Sequence, residues 1–336
     1  MRVLVSGGAG YIGTHTLLDL LADRHEVCVV DNFVNSHPEA LNRVARLSNA
    51  TFQVERADMT DVGRISAICA AFQPHAVIHF AGLKAVKDSI LSPVEYYQAN
   101  VQGTLNLLRA MDGVGCRRIV FSSSATVYGL PQYLPFDEAH PCAPVNPYGR
   151  SKLFVEEILR DWAAARDASA LILRYFNPVG AHPSGQIGED PNDVPNNLMP
   201  FIAQVAVGRR ARLSVFGGDY ETRDGTGERD YIHVSDLAEA HVRALSSCEG
   251  KQGAETLNIG RGAGVTVLEL VRAFEAASGR SVPYDIVARR AGDVASSYAD
   301  ASRAKEVLGW EARRGVAEMC ESVWRWQSAN PDGYAG

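Results

Sequence analysis

The sequence predicts an α/β protein, built on a doubly wound parallel sheet with a smaller C-terminal α/β lobe. Short and nearly continuous apolar segments alternate with helical segments in the first half of the chain, the pattern of a parallel sheet covered on both faces. A glycine-rich turn directly follows the first apolar segment. From about residue 177 onward, long Pro-, Gly- and Asn-rich stretches separate shorter elements. We therefore expect a larger unit at 1–176 and a smaller one at 177–336, with 232–262 as a place where the chain can cross back.

Six segments of the larger unit have the composition of strands. Each is short, apolar and rich in β-branched residues, and helical periodicity appears between them. The expected strands span residues 1–5, 26–30, 51–55, 76–80, 118–122 and 170–174. The clearest helices are expected at 11–21, 61–72, 94–111 and 148–165. Helices between parallel strands imply right-handed crossovers, and ligands should then lie at the C-terminal strand ends.

The smaller unit mixes short strands with helices and two long loops. Strands are expected at 213–216, 256–259 and 282–287, and helices at 235–245, 267–277 and 316–329. Residues 178–200 form the first loop, with a helix starting near Leu198, and residues 219–229 form the second. Long loops in a compact domain usually line a site. We therefore expect this unit to lie over the sheet and to bind a ligand there.

The glycine-rich turn has the spacing of a dinucleotide-binding site. Gly7, Gly10 and Gly13 form a G-x-x-G-x-x-G turn that opens an apolar-periodic helix, so a pyrophosphate can sit against the helix N-terminus. Asp31 ends the second strand, eighteen residues after Gly13. An acid at that place suits the ribose hydroxyls of NAD and repels the 2′-phosphate of NADP, although it can also serve only as a turn or capping acid. We therefore predict a Rossmann-type NAD-binding unit.

The residues best suited to chemistry are a tyrosine and a lysine on one helix. Tyr148 and Lys152 are four residues apart and share a helix face, and the serine run at 122–124 lies upstream. A tyrosine phenol has a pKa of about 10, but a neighbouring ammonium and a cationic nicotinamide ring favour the phenolate. A serine hydroxyl can bridge the phenol and a substrate. Such a pair on an isolated helix is usually a surface feature, but beside a dinucleotide-binding sheet it indicates hydride transfer.

Composition argues against several other classes of protein. The chain has 336 residues, 46% of them hydrophobic and 21% charged, which is typical of a soluble globular protein. A net charge of −6 argues against nucleic acid as a partner, and no apolar run approaches the ~20 residues of a membrane span. The N-terminus enters the first strand directly, so we expect no signal peptide. The six cysteines have no metal or C-x-x-C spacing, so we expect reduced thiols in the cytoplasm and no metal site.

Long sequence blocks resemble the extended short-chain dehydrogenase/reductase superfamily and, within it, the family of UDP-galactose 4-epimerases. The blocks occur in the family's order, from Met1 to the Trp-Arg-Trp-Gln sequence at 324–327. They are residues 7–13, 31–32, 79–86, 121–129, 147–152, 174–183, 195–200, 229–234 and 289–293. The resemblance implies an isomerase that interconverts UDP-hexoses at C4 and keeps its NAD bound.

The resemblance also implies a role for each reactive side chain. Tyr148 would take the proton of the 4-hydroxyl while hydride passes from C4 to NAD⁺, giving a 4-keto sugar. The sugar would then turn on its pyrophosphate tether and receive the hydride on its opposite face. Ser124 would hold the 4-oxygen beside Tyr148, and Lys152 would bind the nicotinamide ribose. The same cofactor would reduce the intermediate that it made, so none would be consumed.

Motif positions carry the family's binding residues over to this chain. The implied cofactor contacts are Gly7, Gly10, Tyr11, Ile12, Gly13, Asp31, Asn32, Asn35, Ser36, Asp58, Met59, Phe80, Ala81, Gly82, Lys84, Lys152 and Phe176. The implied substrate contacts are Lys84, Ser124, Ala125, Thr126, Tyr148, Tyr175, Asn177, Asn197, Leu198, Ser214, Phe216, Arg229, Arg290, Asp293 and Ser297. A guanidinium fork matches the oxygens of a diphosphate, although Arg229 and Arg290 can also be solvated surface charges. The helices at 94–111 and 148–165 resemble the family's homodimer interface, but from the sequence they can equally pack in the core.

Ser297 departs from the pattern of some family members. Four residues after Asp293, some epimerases carry a bulky tyrosine against the C2 substituent of the sugar, whereas others carry a small residue and accept 2-acetamido sugars. Ser297 is small, and Tyr298 follows it. We therefore expect turnover of the UDP-GlcNAc/UDP-GalNAc pair as well as the UDP-glucose/UDP-galactose pair.

Two other kinds of function fit the same fold. A 4,6-dehydratase or a sugar-acid decarboxylase needs an acidic residue beside the serine run, where this chain has Ala125 and Thr126. A non-catalytic NAD(H)-sensing protein is expected to lose the tyrosine or the lysine, and both are present. The sequence therefore favours the epimerase.

Overall fold

Seven parallel strands form the large sheet: six lie where the sequence predicts the strands of the larger unit, and the seventh comes from a segment that the sequence analysis assigns to the smaller unit. A computed structural model describes residues 1–191, 195, 197–290 and 292–335 of the chain. Its strands are β1 (Arg2–Ser6), β2 (Glu26–Asp31), β3 (Gln53–Arg56), β4 (Ala76–His79), β5 (Arg118–Ser124), β6 (Ser169–Tyr175), β7 (Asn177–Val179), β8 (Leu213–Phe216), β9 (Glu228–His233), β10 (Gly253–Ile259), β11 (Gly264–Thr266), β12 (Tyr284–Val287) and β13 (Ser296–Ser297). The order across the large sheet is β10–β6–β5–β4–β1–β2–β3, and every neighbouring pair is parallel. The predicted fold class, a doubly wound α/β protein, is confirmed.

Helices cover both faces of this sheet. The α-helices are α1 (Tyr11–Ala22), α2 (Pro38–Ser48), α3 (Val62–Phe72), α4 (Val86–Leu91), α5 (Pro93–Tyr97), α6 (Gly103–Gly113), α7 (Pro147–Arg166), α8 (Leu198–Ala206), α9 (Val234–Ser247), α10 (Val267–Ser278), α11 (Ser302–Leu308) and α12 (Val316–Ala329). On one face, Leu17 of α1 and Leu237 of α9 belong to the same buried cluster as sheet residues. On the other face, Ile65 of α3 and Leu159 of α7 belong to a second cluster. Burial on both faces explains why the strands are apolar along most of their length.

The C-terminal part of the chain forms a smaller core of helices and short strands. β9 pairs with β7, β11 and β13, and β8 pairs with β12 in a two-stranded parallel sheet. Ile202 of α8, Phe274 of α10 and Met319 of α12 are fully buried in one cluster against these strands. The chain then returns through α9, which packs against α1, and adds β10 to the edge of the large sheet.

One expected helix is interrupted in the structure. The sequence predicts a single helix at 94–111, but a π-helical turn at Gln98–Gln102 separates α5 from α6. In this turn the Asn100 side chain accepts a hydrogen bond from the Leu83 N–H at 2.7 Å and donates one to its carbonyl at 3.0 Å. A periodic pattern cannot reveal such a contact, and π turns of this kind are frequent near functional sites.

The loop expected at 219–229 is shorter than predicted, because Glu228 and Arg229 already belong to β9. Both residues pair with strands β11 and β13, whose positions along the chain are far from β9. The strand expected at 282–287 begins only at Tyr284. The sequence pattern also fails to predict β7, β9, β11, β13, α2, α4 and α11. Most of these elements are short. The strands among them pair with strands from distant parts of the chain.

Candidate active site

The candidate cofactor residues lie along the carboxyl-terminal edge of the large sheet. They follow four neighbouring strands: residues 7–13 after β1, 32–36 after β2, 58–59 after β3 and 80–84 after β4. In a parallel sheet these segments all leave the strands on the same side. Ser124 ends β5, and Tyr175 ends β6 at the same level of the strand register. The fold therefore brings the predicted cofactor and catalytic residues to one edge of the sheet.

At two positions of the turn after β1, only glycine fits. Gly7 has φ +71°, and a Cβ there would lie 2.6 Å from the backbone nitrogen of Ala81. A Cβ at Gly13 would lie 2.7 Å from the Gly7 carbonyl oxygen. In the described chain, α1 has neither a side-chain cap nor an acidic residue in its first turn, so its first N–H groups are available to an anion. The turn fits a dinucleotide pyrophosphate.

Asp31 holds this turn in place. Its carboxylate, 8% exposed, accepts hydrogen bonds from the Ala9 N–H at 3.0 Å and from the Phe33 N–H and the Ser36 hydroxyl, each at 2.9 Å. Asp31 therefore acts as a turn acid at the end of β2, which is the alternative that the sequence left open. Contact with the ribose hydroxyls stays a prediction. Asn32 next to it donates to the Asp58 carboxylate at 2.7 Å.

Helix α7 presents the predicted catalytic pair to the end of β5. It begins at Pro147, after Asn146, whose side chain accepts a hydrogen bond from the Gly149 N–H at 2.8 Å. Tyr148 and Lys152 are 7% and 5% exposed. The Lys152 ammonium donates to a β5 carbonyl at 2.8 Å and lies 5.9 Å from the centroid of the Tyr148 ring. The Tyr148 phenol is hydrogen-bonded with Ser124, so the three predicted catalytic residues come together.

Burial is the largest cause of the pKa shifts of Tyr148 and Lys152 on α7. It raises the pKa of the Tyr148 phenol well above its ordinary value, the Tyr175 phenol adds to the increase, and the hydrogen bond with Ser124 opposes it. Burial also lowers the pKa of Lys152 to about 8, while the negative charge of Glu156 opposes that decrease. Burial therefore raises the phenol pKa in the protein alone, whereas the lowered pKa expected from the sequence also depends on the cationic nicotinamide ring.

The three serines at the end of β5 have different partners. The Ser122 carbonyl accepts the hydrogen bond of Lys152, and the Ser123 hydroxyl donates to the carboxylate of Glu156 at 2.5 Å. Ser124 faces the tyrosine phenol. Glu156 is fully buried and forms an ion pair with Arg174 of β6. This ion pair is not among the features predicted from the sequence. The sequence indicates it only through one acidic and one basic residue, each placed among the apolar residues of a buried element.

Five candidate substrate residues come together in the C-terminal part. Asp293 pairs with Arg290 at 3.0 Å and lies 3.9 Å from Arg229. The guanidinium of Arg290 lies over the Phe216 ring, 4.7 Å from its centroid. Ser297 pairs with Arg229 in the register of β13 and β9. Both arginines therefore have defined neighbours, although the Arg290 side chain is 58% exposed.

The other candidate residues lie nearby on different elements. Asn197 precedes α8 and donates to the carboxylate of Glu189 at 2.9 Å, and the Lys84 ammonium lies 3.5 Å from the same oxygen. Glu189, which the sequence did not suggest, therefore links two predicted substrate residues. Leu198 begins α8, Asn177 begins β7, and Ser214 is exposed on β8. Phe176 is buried directly after β6.

Two properties of the described residues concern the requirements of a metal site and of a membrane-spanning helix. Within the described ranges, no three His, Cys, Asp or Glu side chains gather closely enough to hold a metal ion. His79 lies between Ser6 and Thr104, whose hydroxyls are 2.6 Å and 2.9 Å from its ring nitrogens. None of the helices in the described part of the chain has the length and apolarity needed to span a bilayer.

A family model described as GDP-mannose 4,6 dehydratase matches residues 4–323. The UDP-glucose 4-epimerase of Bacillus subtilis (strain 168) is 54% identical over 335 residues, which cover 99% of each chain. Two solved structures of UDP-glucose 4-epimerases superimpose with a TM-score of 0.96 at 48% sequence identity. The structure from Stenotrophomonas maltophila holds NAD and formylated UDP-arabinopyranose, and the match covers 98% of this chain and 99% of that one. The structure from Bifidobacterium longum is a complex with NAD⁺ and UDP, and the match covers 99% of this chain and 100% of that one.

Proposed function

The chain belongs to the family of UDP-glucose 4-epimerases, and from this premise we propose how its residues carry out the NAD-dependent epimerisation of UDP-hexoses at C4. The observation that carries the proposal is the group of Tyr148, Ser124 and Lys152, buried at the carboxyl edge of the sheet beside the glycine turn. Although the family model is described as a dehydratase, dehydration is not favoured. Ala125 and Thr126 supply no carboxylate beside Ser124.

The glycine turn and the strand ends next to it hold the cofactor in this proposal. The backbone N–H groups at the start of α1 bind the pyrophosphate, and Asp31 faces the adenosine ribose. Asn32 and Asp58, already hydrogen-bonded to each other, border the adenine side. When bound, NAD supplies the hydride acceptor and donor for C4 and, in its oxidised form, a positive charge beside the tyrosine.

Tyr148 exchanges the proton of the 4-hydroxyl in both half-reactions. Ser124 is hydrogen-bonded with the phenol, so it holds the 4-oxygen of the sugar at the same place. The Lys152 ammonium favours the phenolate, whose formation burial opposes. Because the proton and the hydride return to the same sugar, the reaction needs no external oxidant.

Arg229 and Arg290 hold the diphosphate of the substrate in this proposal. Their shared partner Asp293 keeps both guanidinium groups near one another before the substrate arrives. A diphosphate carries the oxygens that two guanidinium forks match. The sugar end of the substrate then lies toward Asn197 and Ser297.

Turnover without added cofactor tests the proposed function. The purified protein, supplied with UDP-galactose alone, is expected to form UDP-glucose for many turnovers per bound NAD. Product is measured by nuclear magnetic resonance, while absorbance at 340 nm should show no steady accumulation of NADH. An activity that consumes one external NAD⁺ for each product molecule would contradict the mechanism.

Ser297 supports a broader choice of sugar. It lies on β13 beside Arg229, and its side chain is small and only partly buried. A pocket without a phenol at this position has room for an acetamido group at C2. We therefore propose that the UDP-GlcNAc/UDP-GalNAc pair is also a substrate.

An exposed apolar face supports a homodimer. Val94 of α5 and Phe154 of α7 are 70% and 49% exposed, and the Phe154 ring stacks on Tyr97 at 5.8 Å. Leu107 and Leu159 of the same two segments do pack in the core, so core packing holds for one face and leaves Val94 and Phe154 on the other. We expect a dimer in sedimentation velocity at micromolar concentration, and Phe154→Glu should shift it toward monomer because it places charge in the interface. A wild-type protein that sediments as a monomer would contradict this proposal.

The state of the cysteines supports a cytoplasmic location. All six are free thiols, and burial raises the pKa of each of them, that of Cys28 and of Cys320 to about 12. Free thiols of this kind persist in a reducing compartment. Cell fractionation tests the location.

A further inference from the structure

Helix α7 carries a third ionisable residue on the face of its catalytic pair. Tyr148, Lys152 and Glu156 are spaced four residues apart, so their side chains lie on successive turns of one face. The Glu156 side chain has no exposed surface. A glutamate is almost never buried completely unless its charge is compensated, so neighbouring groups must compensate the charge of Glu156.

The compensation comes from β6 and β5. The Arg174 guanidinium donates to the Glu156 carboxylate through Nη2 at 2.5 Å and through Nε at 3.0 Å, and its own side chain is 4% exposed. The Ser123 hydroxyl donates to the same carboxylate at 2.5 Å. Arg160 lies farther away, at 3.5 Å, and is partly exposed. Glu156 is thus tied both to the strand that ends in the serine run and to the strand beside it.

The hydrogen bond between Ser123 and Glu156 lies in the middle of residues 122–124, the segment that contacts both catalytic residues of α7. Ser123 is held by Glu156, the preceding carbonyl accepts from Lys152, and the following hydroxyl contacts the phenol. A shift of Ser123 would therefore move two catalytic contacts together. The register of β5 and β6 places Ser123 directly beside Arg174, so the ion pair and the serine run share one level of the sheet.

The same carboxylate lies one turn of α7 beyond the catalytic ammonium and acts on it electrostatically. Burial lowers the pKa of Lys152 to about 8, and Glu156 opposes this decrease. Among the described residues, the other titratable groups that the contacts place against Lys152 are uncharged at neutral pH. They are the Tyr148 phenol, whose pKa is raised, and His79, whose pKa burial lowers to about 3.

We propose that Glu156, paired with Arg174, is a positioning residue of this active site, which fixes Ser123 and places a negative charge one helical turn from the Lys152 ammonium. This inference rests on the roles proposed above for Tyr148 and Lys152. It adds a residue that contacts neither substrate nor cofactor and acts through Ser123 and Lys152.

The test is the pH dependence of kcat for the Glu156→Gln holoenzyme. Glutamine keeps the size of the side chain and an acceptor for Ser123, and it removes the negative charge. The active enzyme needs a protonated Lys152, so activity is lost as the pH rises through the lysine pKa. Without Glu156 that alkaline limb should move to lower pH by about one unit, with KM for UDP-galactose and bound NAD nearly unchanged.

Glu157→Gln is the matched control. Glu157 is the next residue of α7, its side chain is 63% exposed, and it pairs with Arg160 at 2.6 Å. Its removal should leave the alkaline limb where it is in the wild-type enzyme. Glu156→Asp keeps the charge but shortens the reach to Ser123, so kcat should fall while the alkaline limb stays near its wild-type position.

Glu156→Gln leaves Arg174 as an unpaired buried charge, which can prevent folding. The double variant Glu156→Gln/Arg174→Met removes both charges and should shift the alkaline limb in the same direction by a smaller amount. If folded variants lose thermal stability but keep the wild-type alkaline limb, the ion pair is purely structural and the inference is wrong. Failure of the wild-type enzyme to turn over without external NAD⁺ would instead contradict the proposed function.

Discussion

Replacement of Tyr148 by phenylalanine is expected to lower kcat for UDP-galactose by about a thousandfold. The change removes only the phenol oxygen, which is the group that exchanges the proton of the 4-hydroxyl. The ring is 7% exposed and would keep its packing, and Ser124 would keep its hydrogen bond from the Thr126 N–H at 3.2 Å. KM and the amount of bound NAD should therefore change little.

The measurement is kcat and KM for both directions of the reaction, together with the NAD released when the protein is denatured. Tyr133→Phe is a suitable control, because Tyr133 is 44% exposed and its hydroxyl bonds only to Asp137 among the contacts of the described chain. That variant should match the wild-type enzyme. A Tyr148→Phe enzyme with more than about a tenth of wild-type kcat would remove this phenol from the proton transfer.

Ser297→Tyr is expected to reduce kcat/KM for UDP-GlcNAc by about a hundredfold or more, and to change kcat/KM for UDP-galactose only a few-fold. The new phenol would occupy the space that an acetamido group at C2 needs, so the larger sugars would meet a steric clash. The plain hexoses carry only a hydroxyl at C2 and would fit beside it. Selectivity between the two pairs should therefore change far more than overall activity.

Kinetics on four UDP-sugars, side by side, decide this prediction. Ser297→Ala is the matched control, because it keeps the side chain small and should retain both activities. If the wild-type enzyme turns over UDP-galactose well and gives no product from UDP-GlcNAc, the proposed breadth of substrate is wrong. Loss of both activities in Ser297→Tyr would indicate a general disturbance of β13 rather than a selective clash.

The parts of the site that the sequence predicts are those encoded by local spacing. Gly7 and Gly13 belong to one turn, and Tyr148 and Lys152 belong to one helix, so neither pattern needs knowledge of the fold. Most strands of the large sheet are recognisable because burial on both faces makes them apolar, whereas the edge strand β3 is polar and largely exposed. The parallel, doubly wound class of the sheet follows from the alternation with helices.

The parts that the sequence does not predict depend on contacts between distant residues. Glu156 meets Arg174 only after α7 has packed on the sheet, and Asn100 meets Leu83 only across the turn that follows β4. β9 exists as a strand because β11 and β13 pair with it, although the three are separated along the chain. The raised pKa of Tyr148 has the same origin, since its main cause is burial by the folded protein. Such features can be recognised only once the complete fold is known.

The return of the chain to β10 limits how this protein can be recombined with its relatives. The large sheet is completed by a strand that follows β7, β8 and β9, and α9, which leads into it, also covers α1. A fragment ending near residue 176 would lack this edge strand and would expose the apolar surface that α9 covers. A chimera with a different sugar-binding part must therefore replace several separate segments, because β7 to β9, then β11 to β13 with α10, and finally α12 all belong to the smaller core. Grafting a foreign C-terminal half at a single junction would replace part of the nucleotide-binding sheet as well.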